Sequence, residues 1–555
     1  MYVPSPPNND ERRFYVGRHL VLLTTASILA FTGISISLTR FAFQGTWTVL
    51  YLVPITFMIV YFCISQCANS FTRDFDLDAH EHLVASWQPV AYPSVDVFLP
   101  TCGEDMEILR NTAHWVSRLE YRGVVTVYSL DDANRAEVKS LAAEYGFEYI
   151  SRPNRGWFKK AGNLHYGYQR SNGEFVVVFD ADFCPRSDFL ANLLPYFDAE
   201  PDVGIVQSPQ YFRVSRDMHW IERGAGAVQE FFYRVVQTSR QVRGAAICVG
   251  TNAIYRRKAL DSNGGGTLIE HSEDVHTGFD LFRHGWRLRY VPVSLASGIC
   301  PSTLAAFFSQ QYRWCMGSMS LLSSAKFWKT KLRVRARLCY LSGFGYYIET
   351  AFLTFIGPLV PLTMVLVFPA NVRLMNYVLL IPAVVYAFVV FPLWHRCRYS
   401  FEAWSIKMVY GWAHFFAISD KIRNKPMGWV ATMGRRANAH RARYSRFRIG
   451  ITLWGGGTAL VWLGGACYRL VESSAPGAWV PMIAFSLVYA ASVARILVPL
   501  DGQPAYPRNL RRREEDPLPE HIPYTNVPEA QPAGDIALNA APVANTTTEA
   551  AHAPQ

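Results

Sequence analysis

Asp180-Ala181-Asp182 places two carboxylates two residues apart, directly after the apolar run Phe175–Phe179. Side chains of an extended segment repeat every second residue, so both acids are expected on one face. Carboxylates held a few ångströms apart repel each other unless a cation sits between them. A divalent Mg²⁺ or Mn²⁺ suits such a pair: one or two carboxylates hold it, and phosphate oxygens of a ligand complete its shell. Two more polar clusters follow apolar runs in the same way. Pro100-Thr101-Cys102-Gly103-Glu104 comes after Val95–Leu99, and Asp131-Asp132 after Val124–Leu130. Alone, each cluster reads equally well as a solvated turn; their shared position at the ends of apolar runs argues for one site.

Those runs must be strands for the acids to converge. Val95–Leu99 predicts a strand and Glu107–Leu119 a helix, then Val124–Leu130 a strand and Arg135–Tyr145 a helix. Phe147–Ile150, Phe175–Phe179 and Val203–Gln207 continue the strands, with Lys159–Gln169 and Ser187–Phe197 as helices between them. This alternation predicts a mostly parallel sheet flanked by helices. The unbroken apolar strands fit burial on both faces. Ligands of such sheets bind beyond the carboxyl ends of the strands, where the three polar clusters lie. No GxGxxG follows the first strand and no GxxxxGK[ST] occurs, so neither a dinucleotide fingerprint nor a P-loop supplies the site. Ten cysteines without a CxxC pair exclude a disulfide scaffold and a zinc ribbon.

The rest of the chain is a membrane sequence. Half of the 555 residues are hydrophobic and 17% are charged, against about 25% in soluble domains. Six apolar runs are long enough to cross a bilayer: Leu20–Thr39, Thr46–Gln66, Thr350–Phe368, Tyr377–Trp394, Ile449–Tyr468 and Ala478–Ala494. The loop His395–Arg448 holds twelve Lys and Arg, whereas Arg40–Gly45 and Pro369–Asn376 hold one each. With six spans every basic segment falls on the cytoplasmic side. The net charge of +11 is then a topology signal, and a nucleic-acid partner is not expected. The expected organisation is 1–69, a cytoplasmic N-terminus with two spans; 70–345, a cytoplasmic α/β domain with interface helices; 346–500, four spans with a cytoplasmic interfacial loop at 395–448; and 501–555, a disordered tail.

With these features the sequence resembles a known family. Asp131-Asp132, Asp180-Ala181-Asp182, Ser272-Glu273-Asp274 and Gln310-Gln311-Tyr312-Arg313-Trp314 look like the D, DxD, TED and Q(Q/R)xRW series of processive, membrane-embedded GT-A glycosyltransferases of family 2. Cellulose synthases and cellulose synthase-like enzymes are the nearest members. The resemblance runs over residues 20–500 and includes the span order, two before the domain and four after. Ser272 stands where the family usually has Thr. The implied fold is a GT-A domain inserted in a helical membrane domain of about six spans with interfacial amphipathic helices.

The resemblance implies transfer of a sugar from a nucleotide diphosphate to the end of a glycan. Asp274 would be the general base, with Glu273 beside it; direct displacement with one base inverts the anomeric carbon. Asp180 and Asp182 would hold the divalent cation. Thr101, Glu104, Asp131 and Asp132 would form the nucleotide pocket. Lys160, in a KAGN segment, and Arg313 would face the donor diphosphate. Gly250, Thr251, Gln310, Gln311 and Trp314 would take the acceptor. Trp429, Val430 and Thr432 sit where bacterial cellulose synthases carry a gating loop, on a loose match without its Lys.

The partners implied are a UDP-sugar, the nascent polysaccharide and the bilayer of the plasma membrane, with room for a secretion subunit or a second copy. UDP-glucose and a β-glucan are favoured, with UDP-N-acetylglucosamine next; the linkage, 1,4, 1,3 or mixed, stays open. A non-processive membrane glycosyltransferase, or a synthase of an N-acetylglucosamine- or mannose-containing polysaccharide, is the alternative. A transporter would explain the spans but not the acid clusters. The tail is too short for the β-barrel that binds cyclic di-GMP in some bacterial relatives, so no such direct regulation is expected.

Overall fold

A computed structural model describes residues 3–70, 72–425 and 438–498, which fall within one compact unit, Met1–Pro517. Its centre is a seven-stranded sheet. The strands are β1 (Val95–Thr101), β2 (Val125–Asp131), β3 (Glu148–Ile150), β4 (Phe175–Val178), β6 (Val203–Gln207), β7 (Ala253–Arg256) and β8 (Arg287–Tyr290), in the order β3-β2-β1-β4-β7-β6-β8. β5 (Cys184–Pro185) and β9 (Ala296–Ser297) form a small second sheet. Every residue of β1, β4 and β6 is buried, as a sheet packed on both faces requires.

The expected α/β class, mostly parallel and flanked by helices, is what the molecule has. β1 pairs in parallel with β2 and β4, and β2 with β3. β7 was not foreseen. It runs antiparallel between β4 and β6 although helices precede and follow it in the chain, so the order of elements does not reveal its direction. The expected helix Ser187–Phe197 is instead two short helices, Phe189–Leu193 and Pro195–Ala199. Pro195 has no N–H to continue the first and starts the second.

Among the described residues five helices are long and apolar enough to cross a membrane: Leu20–Ala42, Thr48–Asn69, Val334–Leu366, Ala442–Glu472 and Pro476–Leu497. The sixth expected span, Tyr377–Trp394, yields a shorter apolar helix, Ile381–Trp394. Proline explains the difference. Pro382 stands in its first turn, and Pro392 follows a π-helical stretch, Tyr386–Val390, a spacing that accommodates a missing N–H. The long helices turn large apolar side chains outward, among them Val21, Leu22, Leu453 and Leu460, a surface suited to lipid.

Two helices join the sheet to this bundle. Leu304–Leu322 packs along Phe401–Ile422, which packs in turn on Val334–Ile356 and Val480–Leu497. Buried Asp420 ties the junction together. It accepts from the Tyr312 hydroxyl at 2.9 Å and from two nitrogens of Arg443 at 2.7 and 2.8 Å.

Candidate active site

The carboxyl ends of β1, β2 and β4 open into one cleft. Thr101 comes to it from the last position of β1 and Glu104 from the loop that follows, Asp132 from the loop after β2, and Asp180 and Asp182 from the loop after β4. Lys160 joins them from the helix Lys159–Tyr168. Glu273 and Asp274, opening the helix Glu273–Arg283, form the other wall with Gln310, Arg313 and Trp314 of Leu304–Leu322. Residues from across 200 positions of sequence thus meet in one cavity.

Asp180 and Asp182 do not share an extended segment. β4 ends at Val178, and the Phe183 N–H donates to the Asp180 carbonyl at 3.0 Å, closing a turn. The turn, rather than strand periodicity, brings both acids to the cleft. Thr251 fixes the start of this turn: its hydroxyl oxygen accepts from the Asp180 N–H at 2.9 Å.

Charge is balanced across the cleft by Lys160. Its ammonium donates to the Asp180 carboxylate and, at 2.9 Å, to the Gly250 carbonyl, and lies 3.7 Å from Glu273. Burial would lower its pKa, but Asp180 and Glu273 outweigh burial and raise it. Among the described residues Asp182 makes no salt bridge of this kind, and the field of Lys160 opposes its shift only weakly. Burial, then the negative fields of Asp180 and Glu104, push its carboxyl up to about 7. A divalent cation between Asp180 and Asp182 would relieve that repulsion, so the donor set fits a hard metal ion. Among the described residues no three His, Cys, Asp or Glu side chains group tightly enough to hold a metal alone. Ligand phosphates would have to complete the shell.

Burial and the neighbouring Glu273 raise Asp274 above the ordinary carboxylate range, with Lys160 opposing them. Gly250 makes room for this acid. Its φ is +78°, and a Cβ there would lie 2.9 Å from Asp274 Oδ2. Both the left-handed backbone and the close approach require glycine. Behind Asp274, Ser272 takes a left-handed φ of +54°. A Cβ on Gly317 would fall 1.9 Å from Ser272 Oγ. Gly317 therefore lets the helix Leu304–Leu322 sit directly on the loop that presents the acid.

Gln310, Arg313 and Trp314 occupy positions i, i+3 and i+4, one face of the helix, and all three reach the cleft. Burial lowers the Arg313 guanidinium to about 10, partly offset by Asp180 and Glu273, so it remains cationic at neutral pH. Gln311 lies on the other side, 1% exposed, and is not brought to the cleft.

Asp131 and Asp132 divide their work. Asp131 is fully buried and accepts from the Ala133 and Arg135 N–H groups at 3.0 and 2.6 Å and from the Thr101 and Tyr149 hydroxyls at 3.2 Å each. It shapes the loop that presents Asp132. Asp132 faces the cleft but is held from behind by Arg152, whose Nε and Nη2 donate at 2.6 and 2.8 Å. Arg152 also donates to the carbonyls of Trp157 and Lys159 at 2.5 and 3.0 Å. It anchors the loop leading to Lys160, where Gly156, Phe158 and Lys159 all have positive φ. Sequence reasoning missed Arg152 and Gly317. An arginine after a strand and a glycine in a helix carry no signal of their own. Trp429, Val430 and Thr432 lie outside the described residues.

Residues 175–390 match the family model described as glycosyl transferase family group 2. The chain is 31% identical over 264 residues to the cellulose synthase catalytic subunit [UDP-forming] of Xanthomonas axonopodis pv. citri, over 46% of this chain and 36% of that protein. It is 32% identical over 260 residues to cellulose synthase 1 of Komagataeibacter xylinus, over 46% of this chain and 17% of the relative. The match thus spans about a third or less of these relatives' length. Among solved structures, the mannosyltransferase PcManGT of Pyrobaculum calidifontis, in complex with GDP-Man and Mn²⁺, superposes with a TM-score of 0.47 at 17% identity, over 67% of this chain and 98% of that one.

Proposed function

We propose that this cellulose synthase-like chain, whose residues 175–390 belong to glycosyl transferase family group 2, is a processive inverting glycosyltransferase that builds a β-glycan from a UDP-sugar, UDP-glucose first. The observation that carries this reading is the single cleft in which Asp180, Asp182, Asp274, Arg313 and Trp314 meet. Donor-side acids, a buried base candidate and a sugar-stacking ring are there together. The helix that supplies Arg313 and Trp314 packs on the membrane bundle through Phe401–Ile422, so a glycan held at Trp314 would lie beside the spans.

Each residue has a role in that reaction. Thr101, Glu104 and Asp132 border the nucleotide, with Asp131 and Arg152 holding their loops. Asp180 and Asp182 would hold Mg²⁺ or Mn²⁺, which when bound neutralises charge on the diphosphate. Lys160 and Arg313 place two further cations at the same group. Gln310 and Trp314 hold the acceptor sugar by hydrogen bonds and by its apolar face; Gly250 acts by making room for Asp274, and Thr251 acts through Asp180. The acceptor hydroxyl gives its proton to Asp274 as its oxygen bonds to the anomeric carbon, and the bond to the diphosphate breaks with its electron pair leaving on UDP. Attack opposite the leaving group inverts the carbon. A raised Asp274 pKa matches a base that works near neutrality.

The basic segments favour a cytoplasmic catalytic domain, and on that ground the proposed organisation is 1–69, 70–345, 346–500 and a tail. The product would pass outward among the spans. The test is to supply membranes bearing the protein with labelled UDP-glucose and Mg²⁺ or Mn²⁺. Long insoluble product cut by a linkage-specific β-glucanase is expected. Short soluble product would defeat the processive reading, and incorporation only from another UDP-sugar would defeat the glucan.

A further inference from the structure

A second cavity lies behind the cleft, between the sheet and the loop before Asp274. Its walls are largely apolar, with Phe98, Leu164, Val178, Tyr255 and Leu260 among them. Thr267, Thr277, Glu273 and Asp274 supply its polar lining, with Gly265 and Gly266 also in its wall. Glu273 and Asp274 are the residues that line both cavities. The residue of the proposed base is thus part of the partition between the cleft and a separate space. That space is ≈ 50 Å³, and one water needs about 10–15 Å³ and two to four polar partners. Thr277 lies one turn after Asp274 on the same helix face. Its hydroxyl oxygen accepts from the Thr267 N–H at 3.0 Å, which leaves its own hydrogen free to donate. The Thr267 hydroxyl is committed to Asp280 at 2.8 Å, where Lys326 also donates at 2.8 Å. Gly265 and Gly266, at φ +88° and +109°, form a lip without side chains.

We infer that this rear cavity is the proton outlet of the active site, and that Thr277 positions the water that takes the proton from Asp274. The inference rests on the reading of Asp274 as proton acceptor. During transfer the front of Asp274 is covered by donor and glycan, and a processive enzyme keeps the glycan in place afterwards. Asp274 nevertheless has to lose one proton before each new bond. A cavity that neither substrate occupies gives water access to the carboxyl throughout the cycle. The balance is simple: the hydroxyl proton moves to Asp274, from Asp274 to a cavity water, and from there to bulk solvent, while UDP leaves with the electron pair of the broken C–O bond.

The experiment compares Thr277→Val, which keeps the shape and removes the hydroxyl, with Thr277→Ser, which keeps the hydroxyl, in full-length protein in membranes turning over UDP-glucose. The valine variant should lose about tenfold in kcat with KM for UDP-glucose unchanged, and its solvent deuterium isotope effect on kcat should rise as proton departure becomes slow. The serine variant should recover most of the rate and the ordinary isotope effect. Full kcat in the valine variant, a loss without a change in isotope effect, or a serine variant as slow as valine would each overturn the outlet. If Thr277→Val does not accumulate, Thr277→Ala takes its place in the same comparison. Asp274→Asn separates the two ideas. Inactivity there with an unaffected Thr277→Val sinks the outlet alone, whereas an active Asp274→Asn sinks the reading of the base.

Discussion

Gly250→Ala tests the geometry of the proposed base without touching an ionisable group. Two costs are expected. The backbone at φ +78° is disfavoured for an L residue by about 1–2 kcal/mol. The new methyl would also stand 2.9 Å from Asp274 Oδ2, 3.0 Å from its Cβ and 3.2 Å from its Cγ, where unstrained carbon contacts lie at about 3.5–4.0 Å. Asp274 would have to retreat by roughly half an ångström. A 1 Å misplacement of a reacting group costs about 10²-fold, so half that distance costs on the order of tenfold in kcat. Gly244→Ala is the matched control. Its φ is +66°, close to that of Gly250, and its Cβ would meet nothing within 4 Å. Both variants should lose thermal stability in detergent through the backbone, Gly250→Ala more because of its contact with Asp274, but only Gly250→Ala should lose turnover, with UDP binding kept. Equal kcat in the two variants would refute the placement of Asp274 against Gly250 as the determinant of rate.

Arg152→Met leaves Asp132 buried without its cation; breaking such a pair costs about 3–5 kcal/mol. A thermal melt should record that loss, and KM for the UDP-sugar should rise as the loop to Lys160 loosens; an unchanged KM would limit Arg152 to stability. His80 supplies a pH test outside the membrane spans. It lies 1% exposed with its ring nitrogens 3.0 Å from the Tyr196 hydroxyl and 3.2 Å from Asn192 Oδ1, and burial lowers its pKa from 6.5 to about 4. The folded protein therefore holds His80 neutral while the unfolded chain protonates near 6.5. Its stabilising contribution is complete above about 6.5 and is lost as pH falls toward 4. A melting temperature that drops across that window, and drops less in His80→Gln, is the expected outcome.

The sheet and the acids at its strand ends were legible because both depend on local pattern. An unbroken Phe-Val-Val-Val needs burial on two faces, and a parallel strand delivers whatever follows it to one edge. The error over Asp180-Ala181-Asp182 shows the boundary of that logic: the right residues reached the cleft by a turn closed on Phe183, which period two does not encode. β7 was illegible because strand direction is not written in the order of elements: helices precede it (Trp220–Ala227, Thr238–Val242) and follow it (Arg257–Asp261), as they flank the parallel strands. The apolar helix Ile381–Trp394 is shorter than the run Tyr377–Trp394 read from hydropathy, which counts apolar residues and ignores missing N–H groups.

Arg152, Gly250 and Gly317 belong to a different class of residue. Gly250 was named from resemblance, yet what it does depends on a contact with Asp274, 24 positions away in sequence. Gly317 meets Ser272, and Arg152 meets Asp132, only in the folded chain. Such residues set where the reacting groups stand, and a reacting group is worth little out of place. The cleft is therefore best understood as acids fixed by sheet topology and tuned by three contacts of this kind. On that view, moving the support behind an acid should slow turnover while every acid remains in place, and the two glycine-to-alanine variants at 250 and 244 separate that outcome from simple loss of stability.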